Sequence, residues 1–408
     1  VTIVSLILAV IVFHIVANSI STLILRNYIK TFDAVKYENQ LVPEIEKEGY
    51  YTITTDDDIR IMQINDIHIG GGFATLKNDK KTIYEVMTMV QKEKPDLLVV
   101  LGDSTFCVPA VGFNGGGTLN NKSTAKTVMK MFDKLGVYYT VTFGNHDTEA
   151  FDFTNRQKLG EVYASGYSKY CIFQSDFDEY GVTNQCVLLK NTDGKIRKAL
   201  MLIDSNDYID TSLSATINGQ YDTINDLQVN WAADTIKSLS KSNGEDVKSL
   251  YFFHIPTGEF EAAYQDLKAN DFKDTETTQL INGFWDEPIL YGGRSNTEID
   301  PVDQDSLFET LGPDGLNTME AIFCGHDHVN NAVVVYKGVT LSYGYSLDNI
   351  AYTGINRYGL QRGAVLITVK PDGTWSEEHK NAYKDYGVST NKFVTVDTES
   401  YLYENPAP

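Results

Sequence analysis

The sequence predicts an α/β fold, a two-sheet β-sandwich flanked by helices, and three observations carry that expectation. Continuous apolar runs such as IRIMQIND (59–66), DLLVVLGD (96–103) and MEAIFCGHDH (319–328) have strand length and no polar alternation, so both of their faces are buried. In the first half of the chain these runs alternate with stretches of helical periodicity. In the second half, further strand-like runs follow one another through short turns.

The elements can be taken in order. Residues 1–25 contain no Asp, Glu, Lys or Arg and are long enough for the ~20 residues that cross a hydrocarbon layer, so a transmembrane segment or signal anchor is expected. Cleavage near Ala17-Asn18-Ser19 would instead give a secreted protein. Arg26 and Lys30 follow the segment and alone favour a cytoplasmic domain. The chain begins at Val1, which leaves the preceding flank uncounted, and the expectation is a membrane-anchored, extracytoplasmic domain. Residues 26–55 are polar and aperiodic and read as a linker. A catalytic domain is expected over 56–384. It opens with the strand 59–66, the helix 79–93 stopped before Pro95, the strand 96–103, the helix 124–136 ending on Gly136, and the strand 137–147. Strands at 186–190 and 198–205 precede a helix over 224–240, and strands at 249–256, 319–328, 331–338, 339–345 and 363–370 complete the domain. Residues 258–315 read as a variable insertion, and 385–408, ending in ENPAP, as a C-terminal tail.

Composition narrows the partners. The 408 residues carry a formal charge of -21, which repels nucleic acid and anionic surfaces, so a nuclease is disfavoured and a phosphorylated substrate must meet a local positive centre. Bound metal ions can supply one. The cysteines Cys107, Cys171, Cys186 and Cys324 include no C-x-x-C pair. Cys171 and Cys186 flank a polar stretch and could close a disulfide loop outside the cell or remain free thiols; the spacing decides neither.

The chemistry-bearing residues sit where buried strands end. Asp66 and His68 follow IMQIN, Asp103 follows LLVVLG, Asn145 and His146 follow VTFG, His254 ends YFF, and His326 and His328 follow AIFCG. Ligand sites in α/β sheets lie beyond the carboxyl ends of strands. Of the seven histidines, only His14 and His379 lie elsewhere. Imidazole and carboxylate donors without thiolate suit two divalent metal ions of the Mn, Zn or Fe kind. A carboxylate such as Asp103 can bridge two such ions at ~3.5–4 Å, and the pair can activate a water as hydroxide for in-line attack on a phosphate ester.

In this order, Asp66-Ile67-His68, Gly102-Asp103, the GNHD of 144–147, His254 and the GHDH of 325–328 resemble the calcineurin-like metallophosphoesterase superfamily over about residues 59–370. The resemblance implies a four-layer αββα fold and assigns Asp66, His68, Asp103 and His328 to one metal. It gives Asp103, Asn145, His254 and His326 to the other, and makes His146 the non-ligand acid. The segments LIDSNDY (202–208), LQVNWAADTI (227–236), FFHIP (252–256), GHDHVNN (325–331) and QRGAVLITV (361–369) are most similar to the branch related to purple acid phosphatases. That family's G-D-x-x-Y places a tyrosine on ferric iron, whereas this chain has Phe106, which cannot ligate.

Asp147 is expected to orient ligands rather than bind metal. Tyr208, Asn330, Asn331 and Arg362 could line the pocket, but as loop residues they are expected to be solvated. The function expected is hydrolysis of a small phosphorylated compound, a phosphomonoester in first place. A phosphodiesterase and a non-catalytic membrane-anchored module are the alternatives.

Overall fold

The strands Ile59–Asn65 and Leu97–Leu101 bury apolar side chains on both faces, so each needs cover on two sides. Ile59, Ile61, Leu97, Val99 and Leu101 point towards a second sheet and meet Val187, Leu200, Leu250, Phe252 and Phe323. The intervening Met62, Ile64, Leu98 and Val100 point the other way, against Val86, Val90, Val128 and Phe132 of two helices. The result is a four-layer αββα sandwich, described in a computed structural model for residues 2–108, 117–149, 151–174, 181–210, 212–294, 298–351 and 361–394.

One sheet has five strands in the order Trp375–Asn381, Gly363–Val369, Ile59–Asn65, Leu97–Leu101 and Tyr139–Thr142, the last three parallel. The other has nine: Glu44–Ile45, Tyr51–Thr54, Gln185–Lys190, Ile196–Leu202, Ser249–Phe252, Met319–Cys324, Val339–Tyr343, Val333–Tyr336 and Thr278–Asn282. Within it, Ser249–Phe252 and Met319–Cys324 run parallel. The helices have local reasons to stop where they do. Leu76–Glu93 ends on Lys94 in the left-handed region just before Pro95. Asn121–Leu135 begins on the Asn120 side-chain cap and ends on Gly136 at φ 72°. On the outer face of the nine-stranded sheet, Asp226–Asn243 opens with a reciprocal cap between Asn225 and Gln228.

Several expectations need correction. The expected linker over 26–55 contributes Glu44–Ile45 and Tyr51–Thr54, and the latter pairs in parallel with Gln185–Lys190. The expected insertion also builds structure: the helix Gly258–Ala269 covers the nine-stranded sheet, and Thr278–Asn282 forms its edge. Trp375–Asn381 was not expected as a strand because WSEEHKN is mostly polar, yet it pairs along the whole of Gly363–Val369. The expected tail, 385–408, is described only to residue 394, where Val388 N–H still bonds to Ala382 O. All four cysteines are free. Cys186 belongs to the core outside the nine-stranded sheet and Cys171 to that outside the five-stranded one, so they face different layers.

The N-terminal segment requires the largest correction. It forms the helix Thr2–Ile29, and among the described residues no helix is long and apolar enough to cross a membrane. The helix is docked on the domain, with the Phe13 and His14 rings on Phe73 (5.9 and 5.6 Å) and side-chain hydrogen bonds from Asn18 onward. Asn18 Oδ1 accepts from Phe73 N–H (3.1 Å), Thr22 Oγ1 donates to Gly71 O (3.3 Å), and Arg26 donates to Ser123 O (2.9 Å) and Thr127 Oγ1 (3.0 Å). Leu25 and Ile29 enter the core beneath the helix layer. With no membrane-crossing helix among the described residues, the expected membrane anchor, and the extracytoplasmic placement that rested on it, do not hold.

Glu259, in the first turn of Gly258–Ala269, gives a test of the core chemistry. Burial first, and then the nearby Asp305 carboxylate, push its carboxyl up to about 8. Between the ordinary value near 4.5 and about 8, the folded chain holds a proton that the unfolded chain releases, so stability falls as pH rises through that window. Glu259→Gln should therefore raise Tm by a few degrees over wild type at pH 8. The gain should vanish near pH 4, and an equal gain at both pH values would refute the burial argument.

Candidate metal centre

The strand tips deliver the site. Asp66, His68, Asp103, Asn145 and His146 follow three parallel neighbours of the five-stranded sheet, while His254, His326 and His328 follow two parallel neighbours of the other. The turns are sharp enough to force the left-handed region on side-chain-bearing residues: φ is 51° at Asp66, 49° at His68, 46° at Asp103 and 74° at His326. Such conformations are costly and collect at functional sites. Two glycines admit the close approach. A Cβ on Gly102 would lie 2.5 Å from His254 Nδ1, and one on Gly144 would lie 2.2 Å from Asp103 Oδ1.

Two groups of donors converge. Asp66, His68, Asp103 and His328 form one, and Asp103, His254 and His326 the other, with the ligand atoms of each group within 4.8 Å of one another. Asp103 belongs to both. Its Oδ2 lies 3.3 Å from His68 Nε2 and 3.1 Å from His254 Nε2, while its Oδ1 accepts from the His146 N–H at 2.7 Å. Asp66 Oδ1 lies 3.3 Å from His328 Nε2, and its Oδ2 accepts from Asn65 Nδ2 at 2.6 Å. Asn145 Nδ2 donates to the Tyr208 hydroxyl at 3.0 Å, and its buried Oδ1 has no hydrogen-bond partner.

These atoms fit a pair of cations. Asp66 Oδ1, Asp103 Oδ2 and Asn145 Oδ1 are buried acceptors without a hydrogen bond, a costly arrangement unless positive charge sits among them. His254 Nδ1 faces Leu101 O at 2.9 Å, which places a proton there and makes Nε2 the nitrogen available to an ion. Nε2 faces His326 Nδ1 at 3.3 Å. Clustered Asp and His residues of this kind suggest a binuclear metal site.

The charges are mutually dependent. Burial alone would raise the Asp103 carboxyl, but His254 and His146 hold it well below the ordinary range. Burial likewise opposes a charge on His254, yet Asp103 and Asp66 bring it up to about 9. On His146, burial is outweighed by Asp103 and Glu149, which raise its pKa.

His146 stands apart from both groups. Its side chain keeps 26% exposure, against at most 5% for the residues His68, His254, His326 and His328. Glu149 Oε1 contacts its Nδ1, and the Phe106 ring packs edge-on against it at 4.9 Å while stacking on His68 at 4.9 Å. Phe106 thus braces two imidazoles from the place where a tyrosine could have ligated. Asp147 lies behind the site, where its carboxylate accepts from Gly144 N–H and Thr105 N–H, each at 3.0 Å.

The loop residues are more tightly held than expected. Asn330 and Asn331 are buried, and their side-chain oxygens accept from Asp286, Glu287 and Phe284 N–H, tying the 258–315 segment to the GHDH turn. Arg362 is buried rather than solvated, and Tyr208 is half-buried against Asn145. Sequence reading missed Glu149, Asp348, and the Arg156–Asp204 pair that clamps the carbonyls of Phe143 and Gly144. Glu149 alone had a signal, since it lies one residue past the GNHDT turn.

Comparison with known proteins agrees with this geometry. Residues 59–330 match the family described as Calcineurin-like phosphoesterase. Among curated proteins, the chain is 23% identical to "Probable inactive purple acid phosphatase 29" of Arabidopsis thaliana, over 90% of this chain and 91% of that one. It is 24% identical to "Probable inactive purple acid phosphatase 14" of the same plant, over 78% and 77% respectively.

Metal binding should be visible in stability. Zn2+ or Mn2+ at about 100 times Kd should stabilise chelator-treated protein by about 2.7 kcal/mol per ion bound, read as a rise in Tm. Asp103→Asn removes the carboxylate common to both groups and should abolish most of that rise. An undiminished rise in the variant would contradict the shared-carboxylate geometry.

Proposed function

The chain belongs to the calcineurin-like phosphoesterase family, and from that premise we propose that it hydrolyses phosphomonoesters of small compounds at two divalent ions, Mn, Zn or Fe. Asp66, His68, Asp103, Asn145, His254, His326 and His328 are the residues that would hold them. Ions so bound supply Lewis acidity to phosphate oxygens and a water acidified towards neutral pH.

The observation that carries the reading is His146. It is the one strand-tip imidazole outside both donor groups and open to solvent, yet fixed on three sides. Its backbone N–H is anchored on Asp103, Glu149 takes its Nδ1, and Phe106 braces the ring. Nε2 is left to deliver a proton to the leaving oxygen as the P–O bond breaks, which is the task of a general acid. The Tyr208 hydroxyl holds the Asn145 Nδ2, and the unpartnered amide oxygen is the atom that would meet an ion. The formal charge of -21 favours a small substrate over a polyanion. Phe106 removes a tyrosinate from the donor set, which favours a redox-neutral divalent pair over a ferric ion.

The word "inactive" in the relatives' names raises a second reading, a module that binds metal and phosphate without turnover. The bracing of His146 argues against it, because a binding module has no use for a positioned proton donor. Metal-loaded protein should hydrolyse p-nitrophenyl phosphate faster than bis(p-nitrophenyl) phosphate. His146→Ala should lower kcat by ~10²–10⁴-fold with metal content unchanged. Folded, metal-loaded protein that turns over neither ester would overturn the proposal, and a faster diester would reassign the substrate class.

A further inference from the structure

His68 and His328 approach the same donor group from different sheets, and both turn their second ring nitrogen towards one buried carboxylate. Asp348 Oδ2 lies 3.4 Å from His328 Nδ1, and Asp348 Oδ1 lies 3.9 Å from His68 Nδ1. The opposite nitrogens face the donor group: His328 Nε2 is 3.3 Å from Asp66 Oδ1, and His68 Nε2 is 3.3 Å from Asp103 Oδ2. We propose that Asp348 is a positioning residue for one of the two metal sites, favouring the proton on Nδ1 and the lone pair of Nε2 aimed at the ion, by close contact at His328 and by its charge at His68. This rests on the reading of the centre as a binuclear metal site.

The carboxylate is itself fixed. Its Oδ1 accepts from the N–H groups of Ile350 (2.6 Å) and Ala351 (2.9 Å), and its own N–H donates to Ser346 Oγ (3.0 Å). The Asp348 side chain has no solvent exposure. Arg362, buried nearby, offsets part of its charge. A carboxylate behind a ligating imidazole fixes the tautomer and makes the ring a stronger donor. Here one carboxylate faces two rings, at 3.4 Å from His328 Nδ1 and at 3.9 Å from His68 Nδ1, where charge rather than a hydrogen bond acts.

Among the described residues, the other donor group is backed differently. His254 Nδ1 meets the neutral carbonyl of Leu101 at 2.9 Å, the carboxylate nearest it, Asp66 Oδ1 at 4.0 Å, being itself a donor of the first group, and His326 turns its Nδ1 inward, towards His254 Nε2. The two ions would therefore be held unequally. The site of Asp66, His68, Asp103 and His328 depends on Asp348, and the site of Asp103, Asn145, His254 and His326 does not.

The test uses the full chain, stripped with chelator, reloaded with Zn2+ and freed of excess metal. Wild type should retain two ions and Asp348→Asn one, with affinity at the affected site reduced on the order of 10–100-fold. Asn145→Ala, which removes a donor from the other site, should weaken the remaining ion instead. Two ions at unchanged affinity in Asp348→Asn would overturn the proposal, whereas wild type that binds fewer than two would overturn the binuclear reading beneath it. Nitrogen-15 histidine spectra of zinc-loaded wild type make the test independent of the variant's folding. Slowly exchanging protons are expected on Nδ1 of His68 and His328, and a proton on Nε2 of either would overturn the assignment.

Discussion

Asp103 is the point at which the two halves of the sandwich meet. One carboxylate oxygen is taken by the backbone N–H of His146. The other lies within 3.3 Å of imidazole nitrogens on His68, from the five-stranded sheet, and on His254, from the nine-stranded one. A buried carboxylate between two histidines is stable only while positive charge surrounds it. Gly102 and Gly144, the left-handed turn at Asp103 and the shared position of the parallel strand ends all keep it there.

The rest of the molecule can be ranked by its distance from that carboxylate. Asp147 ties the turn after Leu97–Leu101 to the turn after Tyr139–Thr142. Arg156 grips the second of these through two carbonyls while Asp204 neutralises its charge. Asn330 and Asn331, with Tyr343 bonded to Asp327, secure the GHDH turn to the neighbouring segment and sheet. Each contact restricts a turn that carries a donor, so the geometry is set by a shell of buried polar groups rather than by the donors alone. The helix Thr2–Ile29 belongs to a more distant layer: its last turns cover Asn121–Leu135.

Much of this was legible because a buried parallel strand leaves a strong imprint. IMQIN, LLVVL and AIFC are apolar on both faces, and the polar residues that follow each run therefore mark its tip. The resemblance carried by those tips placed the fold in the right class. What escaped was polar and remote in sequence. Asp348 follows YGYSL in a loop where a carboxylate ordinarily serves a turn, and only the closed fold brings it to His68 and His328. Edge strands escaped for a related reason: Trp375–Asn381 has one open side and alternates exposed with half-buried residues, so its composition resembles a loop. The N-terminal helix misled in the opposite direction. Its apolarity resembles that of a membrane segment, while the contacts of Asn18, Thr22 and Arg26 that commit it to the domain are invisible until their partners, more than 40 residues away, are placed.

Whether Asp103 joins two ions is the central claim, and electron paramagnetic resonance of the Mn2+-loaded protein addresses it directly. Two ions sharing one carboxylate at ~3.5–4 Å are exchange-coupled. The account predicts a coupled multiline spectrum at full occupancy that collapses to an isolated-ion signal in Asp103→Asn. A wild-type spectrum of isolated, uncoupled ions at full loading would contradict it.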